Sequence, residues 1–430
     1  MKNIRWYLFW LFDFVKGGKV RYYYKVAKES YEKGTKYEDT QRRIVALINH
    51  AVSTTEFYKR FDSDTSISDL PVMNKSIYKE KYDQFISSIF LNAKSNRIKH
   101  TSGSTGIPFA MIQDKRKIIH NIGASIFLCT LGDYYIGMKT AYMGIWDGTK
   151  RENKFQSFIE NRFKLDTRNL DEKGMDELLD VVKRKRINVL FGFASSFSEL
   201  SKYIKKNPFK LKKIKIESII SRAEMLPEYM RKNLREKFSC SVSSTYSSEE
   251  NGIMGIQDTG NSYYYIDSFS YYFEVLKLDR DEPVEPGELG RLVITDLFNY
   301  AFPIIRYDNG DLAVIEKNVH NNRYKVYIKE LFGRKTDLIF KCNGNPISPH
   351  ALSMSVRDVD GIRQFQFVQV GEKDYNLIIN LDDSPFNDMM VTERLLNLLG
   401  DEAKVEITFV NEIPVLNSGK RRYIVNEYRK

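Results

Sequence analysis

Five groups of residues have types and spacings suited to chemistry. Thr101, Ser102, Gly103, Ser104, Thr105 and Gly106 form a run of small and hydroxyl residues inside "RIKHTSGSTGIPFAMIQ". Backbone N–H groups of such a loop can converge on an anion, and glycine admits a phosphate with no Cβ in the way. The hydroxyls of Thr101, Ser102, Ser104 and Thr105 add donors. Neither G-x-x-x-x-G-K-[ST] nor G-x-G-x-x-G is present, so a plain turn stands as the alternative. "TYSSEENG" joins Tyr246 to the adjacent carboxylates Glu249 and Glu250 at the end of an expected strand. "PIIRYDNGDL" carries Asp308 and Asp311 in a turn, "GRKTD" carries Arg334, and "NSGKRR" sets Lys420 on a glycine-flexed loop. Singly, each also reads as a turn or a surface ion pair. Their joint order along the chain is the informative feature.

These groups need a scaffold, and the middle of the chain supplies one. Asn188 to Phe191 is a short apolar run, and Ser195 or Ser196 can cap a helix after it. "IESIISRAE" reads as a strand, Pro227 suits a first helical turn, and Met230, Leu234 and Phe238 recur at helical spacing. "SCSVSSTYSS" then returns as a strand. This βαβ pattern predicts a largely parallel sheet with site loops at the carboxyl ends of its strands. Further on, "FQFVQV", "YNLIINL" and "KVEITFV" read as strands and Met389 to Leu399 as a helix.

A chain of 430 residues, 42% hydrophobic, can bury a large core and more than one domain. Cys129, Cys240 and Cys342 lie too far apart for a disulfide framework or a zinc signature and read as buried thiols in a reducing, cytoplasmic setting. The net charge of +11 is concentrated in clusters such as Lys183 to Arg186 and Lys205 to Lys215. No recognition motif accompanies them, so they read as solvated faces and helix ends, and a nucleic-acid partner is not expected. Trp6 to Val15 is the most hydrophobic window. It is too short to span a bilayer, contains Asp13, and is followed by no small-residue cleavage site. Residues 1–25 have two readings: an amphipathic helix packed on the body, or a helix resting on a membrane surface with flanking Lys and Arg toward the headgroups.

"TSGSTGIP", Tyr246 and Glu250 in "YSSEE", "PIIRYDNGD", "GRKTD" and "SGKRR" together resemble the successive core motifs of adenylate-forming enzymes of the acyl-CoA synthetase and luciferase superfamily. The branch they resemble is the phenylacetate-CoA ligase-like group that includes CapK-type proteins of polysaccharide gene clusters. The resemblance covers residues 97 to 422 by motif order. It implies an α/β fold: a large domain with βαβ units over residues 1–333, helical in residues 1–96, and a small mobile α+β lid over 334–430. It further implies that ATP and a carboxylic acid give acyl-AMP and pyrophosphate, after which an amine or thiol, coenzyme A among the candidates, takes the acyl group. Thr101 to Gly106 would hold the β- and γ-phosphates, Glu250 would bind Mg²⁺, and Tyr246 would stack on adenine. Asp311 would accept from the ribose hydroxyls, Arg334 would hold the nucleotide, and Lys420 would bridge the carboxylate and the α-phosphate, a role that suits a compact point charge.

The chain departs from the family pattern at three places. Phe109 follows Pro108 where many members have Lys, Glu249 stands where Thr or Ser is usual, and Thr336 occupies the hinge position where Asp is common. Glu249 is expected to be solvent-facing or to support the site indirectly. The acyl pocket is expected near Tyr142, Trp146, Phe193, Ser195, Arg222 and Ala223, which follow expected strands and precede the adenine motif. Aromatic walls suit an aryl acid, while the polar neighbours suit a sugar acid or amino acid. A role in capsular or surface polysaccharide synthesis rests on the resemblance. The alternatives are an aryl- or acyl-CoA synthetase and a catalytically silent relative that acts by binding.

Overall fold

The computed structural model describes residues 3–100, 110–146, 160–257, 260–356, 359–381, 384–414 and 422–428. The chain divides into two compact units. The first comprises Met1–Thr140, Glu152–Arg162 and Ser243–Lys329, the second Ala141–Arg151, Phe163–Val242 and Glu330–Lys430.

The first unit begins with helices α1 (Ile4–Val15), α2 (Lys19–Lys33), α3 (Tyr37–Thr54), α4 (Lys75–Glu80) and α5 (Lys115–Thr130). Side chains at three of their starts explain where they begin. Asn3 accepts from the Trp6 N–H at 3.1 Å, Asn74 from Ile77 at 3.0 Å and Asp114 from Lys117 at 2.9 Å, each satisfying a donor the helix itself leaves unpaired. Ile44, Leu47 and Ala51 of α3 pack with Phe57, Tyr58 and Phe85 in a core that also takes in Phe302, Ile305 and Tyr307. The strands of this unit follow the order Tyr271–Leu276, Gly290–Asp296, Tyr307–His320, Arg323–Arg334, Tyr264–Ile266, Gly252–Gln257, Ser241–Ser248. Ser241–Ser248 and Gly252–Gln257 form an antiparallel hairpin, and Gly290–Asp296 runs antiparallel to both of its neighbours.

The parallel pairing expected from the βαβ pattern is found in the second unit. Val189–Gly192 pairs parallel with Ser218–Ser221, with Val189 opposite Ser218. Helix Ala194–Lys206 lies between them in sequence, and Glu228–Phe238 follows. The expectation of a largely parallel sheet is thus corrected: from Ser241 onward the strand pairs of the first unit are antiparallel. Short connections of a few residues, such as the one between Ser248 and Gly252, permit nothing else. Ser195 and Ser196 do not cap their helix either. Phe193 occupies the cap position, and the Ser195 N–H donates to Glu224 Oε2 at 2.8 Å.

The C-terminal part of the second unit has its own core of Phe367, Leu377, Ile379, Val391, Leu395 and neighbours. Its sheet, Lys404–Phe409, Asp374–Leu381, Ile362–Gln369 and Ile424–Asn426 in that order, takes helix Asp388–Leu399 into the same core. The three strands and the helix expected from alternation are all present. Among the described residues, no helix is long and apolar enough to cross a membrane.

Candidate functional site

Within the first unit, two antiparallel systems meet at Tyr246. The buried Tyr246 lies on Ser241–Ser248, and Asn309 and Asp311 lie on Tyr307–His320. Tyr246 Oη donates to Asp311 Oδ2 at 2.8 Å. Asn309 Nδ2 donates to Tyr246 Oη at 2.7 Å and to Asp311 Oδ2 at 2.9 Å, while the Asp311 N–H donates to Asn309 Oδ1 at 3.0 Å. The triangle fixes both the phenol ring and the carboxylate. Asn309 was not singled out by the sequence reading, yet a signal existed: it stands two residues before Asp311, and on a strand that spacing puts both on one face.

Parity also separates the two aspartates. Asp308, on the opposite face, accepts from Arg291 Nη1 at 2.7 Å and from the Gly310 N–H at 2.9 Å, so it shapes the strand and takes no part in the triangle. Arg306 anchors the approach. Its backbone is left-handed (φ 48°), and its buried guanidinium donates to the carbonyls of Ser68 (2.7 Å) and Leu70 (2.6 Å) and pairs with Glu274 at 3.0 Å. Burial raises the Glu274 carboxyl above its usual range, opposed by Arg306.

Glu250 sits in the turn after Tyr246 and is buried, whereas Glu249 is exposed as expected. Its Oε1 lies 3.5 Å from Tyr307 Oη and 3.8 Å from Lys75 Nζ at the start of α4. Backbone carbonyls hold the turn. Glu250 O accepts from Gln113 Nε2 at 3.2 Å, and Asn251 O accepts from Tyr271 Oη at 2.6 Å and Asn121 Nδ2 at 3.3 Å. Behind them Lys117 donates to Tyr271 Oη at 3.0 Å and pairs with Asp296 at 2.6 Å, with both ionic side chains wholly buried. Burial pulls the Lys117 pKa down, opposed chiefly by Asp296. Neither Lys75 nor Lys117 stands in a recognisable motif, and each meets its partner across more than 150 positions of sequence. Among the described residues no cluster of three or more His, Cys, Asp or Glu could hold a resident metal. One buried carboxylate beside a hydroxyl does suit a Mg²⁺ ion that arrives with nucleotide phosphates, since Mg²⁺ commonly takes one or two protein carboxylates.

The expected acyl-pocket residues gather in the second unit. Tyr142 stacks on Phe191 with centroids 5.0 Å apart. The Arg222 guanidinium lies 5.6 Å from the Tyr142 ring and 5.5 Å from that of Phe193. Trp146 donates to Leu165 O at 3.1 Å, and Lys164 Nζ sits 4.6 Å over its ring. A Cβ at Gly144 would touch Trp146, Phe193 and Arg222 at 3.8 to 3.9 Å, so these three side chains surround one point. Ala223, between Arg222 and Glu224, is left-handed at φ 61°, a conformation an L-residue holds only under local constraint. Buried Ser195 gives its N–H to Glu224 Oε2 at 2.8 Å, which ties a carboxylate to the start of helix Ala194–Lys206.

The remaining candidates are placed in part. Arg334 is exposed and ends strand Arg323–Arg334, and Thr336 falls in the 3₁₀ turn Lys335–Asp337. That turn is fastened by an Asp337–Arg422 ion pair and by Asn426 Nδ2 donating to Leu338 O at 2.6 Å. Thr101, Ser102, Gly103, Ser104, Thr105, Gly106 and Lys420 lie outside the described residues. The loop's ends are set by antiparallel strands Arg97–His100 and Ala110–Gln113, which pair His100 with Ala110.

Residues 339–427 match the family model of the CapK C-terminal domain. Protein CapK of Staphylococcus aureus is 23% identical over 440 residues, covering 97% of this chain and 95% of that one. The solved structure of 2-hydroxyisobutyryl-CoA ligase in the postadenylation state, in complex with R3-HIB-AMP, superposes with a TM-score of 0.71 at 15% identity, over 90% of this chain and 89% of the other. ATP-bound MatB from Rhodopseudomonas palustris gives 0.52 at 14% identity over 76% and 66% of the two chains. The fold is therefore that of the adenylate-forming ligases, and the chain resembles the CapK branch, residues 339–427 being similar to the CapK C-terminal domain.

Proposed function

We propose that this chain is an ATP-dependent ligase that activates a carboxylic acid as acyl-AMP and passes the acyl group to an amine or thiol acceptor in capsular or surface polysaccharide synthesis. The observation that carries the proposal is the Tyr246–Asn309–Asp311 triangle with buried Glu250 in the adjoining turn. In the first step a carboxylate oxygen attacks the α-phosphorus, and pyrophosphate leaves with the electrons of the bridging P–O bond. Two anions must meet, so the protein's task is alignment and charge neutralisation. Tyr246, pinned through its hydroxyl, offers its ring to adenine, and Asp311 accepts from the ribose. In this reading Thr101 to Gly106 and Lys75 would neutralise the phosphates, Arg334 would hold the nucleotide, and Lys420 would bridge the carboxylate and the α-phosphate. Mg²⁺ held through Glu250 supplies further neutralisation when bound. Residues 334–430 act as a lid pivoting at Thr336.

The acyl group lies in the cluster of Tyr142, Trp146, Phe193, Ser195, Arg222 and Ala223. Its rings favour a flat or apolar body, and Arg222 favours a polar or anionic substituent. A cytoplasmic location suits the supply of ATP. The likeness to 2-hydroxyisobutyryl-CoA ligase favours a second reading, in which coenzyme A is the acceptor. Exchange of labelled pyrophosphate into ATP, measured against aryl acids, amino acids, uronic acids and fatty acids, tests the first half-reaction. Exchange with one class names the acid. Folded protein that supports exchange with none is the silent relative.

A further inference from the structure

Helix α1 is apolar over most of its surface, with half-buried Arg5 and buried Asp13 as its only charged residues. Its inward face, with Trp6, Phe9 and Trp10, packs against Val20 and Tyr24 of α2 and Ile126 of α5, and Trp10 meets the Tyr24 ring at 5.3 Å. Asp13 is not a flaw in this helix. Its carboxylate accepts from the N–H groups of Val20 (3.1 Å) and Arg21 (2.9 Å) and so caps α2 across the Gly17–Gly18 turn, both glycines having positive φ. The other end is tied by Asn3 Nδ2 donating to Gly137 O at 2.6 Å. α1 is thus a fixed ridge.

Its outward face is the unusual one. Ile4, Leu8, Leu11, Phe14 and Val15, edged by Tyr7 and Phe12, are all exposed, Phe14 and Val15 to 73% and 75%. They cover an arc of about 160° at 100° per residue, and no exposed position of α1 is polar. Lys16, Lys19, Arg21 and Lys25 are exposed just beyond it, whereas Asp13, the one acidic residue before Glu29, is buried.

We propose that α1 docks on an anionic lipid bilayer, lying in the membrane plane with its outward arc at the acyl boundary and these four cations against lipid phosphates. A helix about 18 Å long lies in the interface and does not span it. A second copy of the chain fits poorly. Pairing two such arcs would bring two basic rims together, a like-charge contact that disfavours it. This inference is independent of the adenylation reading.

The test is co-sedimentation of the full chain with vesicles of phosphatidylcholine alone or mixed with phosphatidylglycerol, with light scattering in parallel. The wild type should bind the mixed vesicles and lose affinity with added salt. Leu11→Glu with Phe14→Glu should bind at least ~10-fold more weakly at unchanged melting temperature, because both side chains face outward. Lys16→Gln and Lys19→Gln should each cost about five-fold. Equal wild-type binding to both vesicle types, or full binding by the Glu variant, overturns the proposal. So does a wild-type dimer that the Glu variant turns into a monomer without any vesicle binding.

Discussion

Asp311→Asn is the substitution on which the nucleotide assignment turns. Asp311 Oδ2 already accepts from Tyr246 and Asn309, at 2.8 and 2.9 Å, and a carboxylate retains further lone pairs for ribose hydroxyls. An asparagine can keep its carbonyl toward Tyr246 and Asn309, so the fold should survive, but its amide then presents N–H donors where the ribose requires an acceptor. A hydrogen bond to a charged acceptor contributes about 1.5–3 kcal/mol, which corresponds to roughly 10- to 150-fold weaker ATP binding. Calorimetric titration with ATP, 2′-deoxy-ATP and 3′-deoxy-ATP completes a cycle. The wild type should bind at least one deoxy analogue more weakly by that factor, and the variant should no longer discriminate. Asn309→Ala is the control: it loosens Tyr246 and Asp311 without removing the ribose acceptor, so affinity should fall by less while discrimination persists. If Asp311→Asn binds ATP as tightly as the wild type, or if the deoxy penalty is undiminished in it, Asp311 does not hold the ribose.

Three further outcomes are expected. Lys117→Ala leaves Asp296 buried without its cation and should destabilise the fold by about 3–5 kcal/mol, read by denaturant unfolding, whereas Lys117→Met combined with Asp296→Asn should recover much of the loss. Stability should fall as pH drops through about 6.5, because burial, seconded by Lys117, holds His120 well below the ordinary histidine range and burial also lowers His50. The unfolded chain then binds the extra protons, and His120 alone contributes a slope of up to about 1.4 kcal/mol per pH unit, so His120→Asn should flatten the curve and an unchanged slope would exclude it as the cause. Lys420→Ala should slow pyrophosphate exchange about 100-fold or more, as for a charge needed mainly in the transition state, with ATP affinity nearly unchanged; exchange at the parental rate would strip the C-terminal segment of its catalytic role.

What could be read from the sequence was local. Ile362–Gln369, Asp374–Leu381, Lys404–Phe409 and helix Asp388–Leu399 announce themselves by alternation and helical spacing, because each buries one face against a single core. Tyr246, Glu250 and Asp311 were accessible as candidates because the order of short motifs along the chain resembles that of the adenylate-forming enzymes; strand parity adds only Asn309 beside Asp311. Strand direction was not, since an apolar run carries no sign of whether its neighbour runs with it or against it, and the connection length decides. The supports of the site were hidden for a different reason. Lys75 reaches Glu250 and Glu224 reaches the Ala194–Lys206 helix start only through tertiary structure, so no spacing rule reports them.

That contrast has an energetic basis. A residue that would contact a ligand needs a defined position and chemistry, which short stretches such as "DNGD" encode. The residues that hold it there need only meet the requirement that buried polar groups be satisfied. Lys117 illustrates this: its ammonium, at zero exposure, is tolerable because Asp296 and Tyr271 receive it, and Tyr271 in turn donates to the carbonyl of Asn251, next to Glu250. Any arrangement satisfying the same donors would serve equally well, so the support carries no fixed sequence signature even though the candidate site depends on it. The turn that carries Glu250 is therefore positioned by two backbone carbonyls whose partners come from α5 and two neighbouring strands.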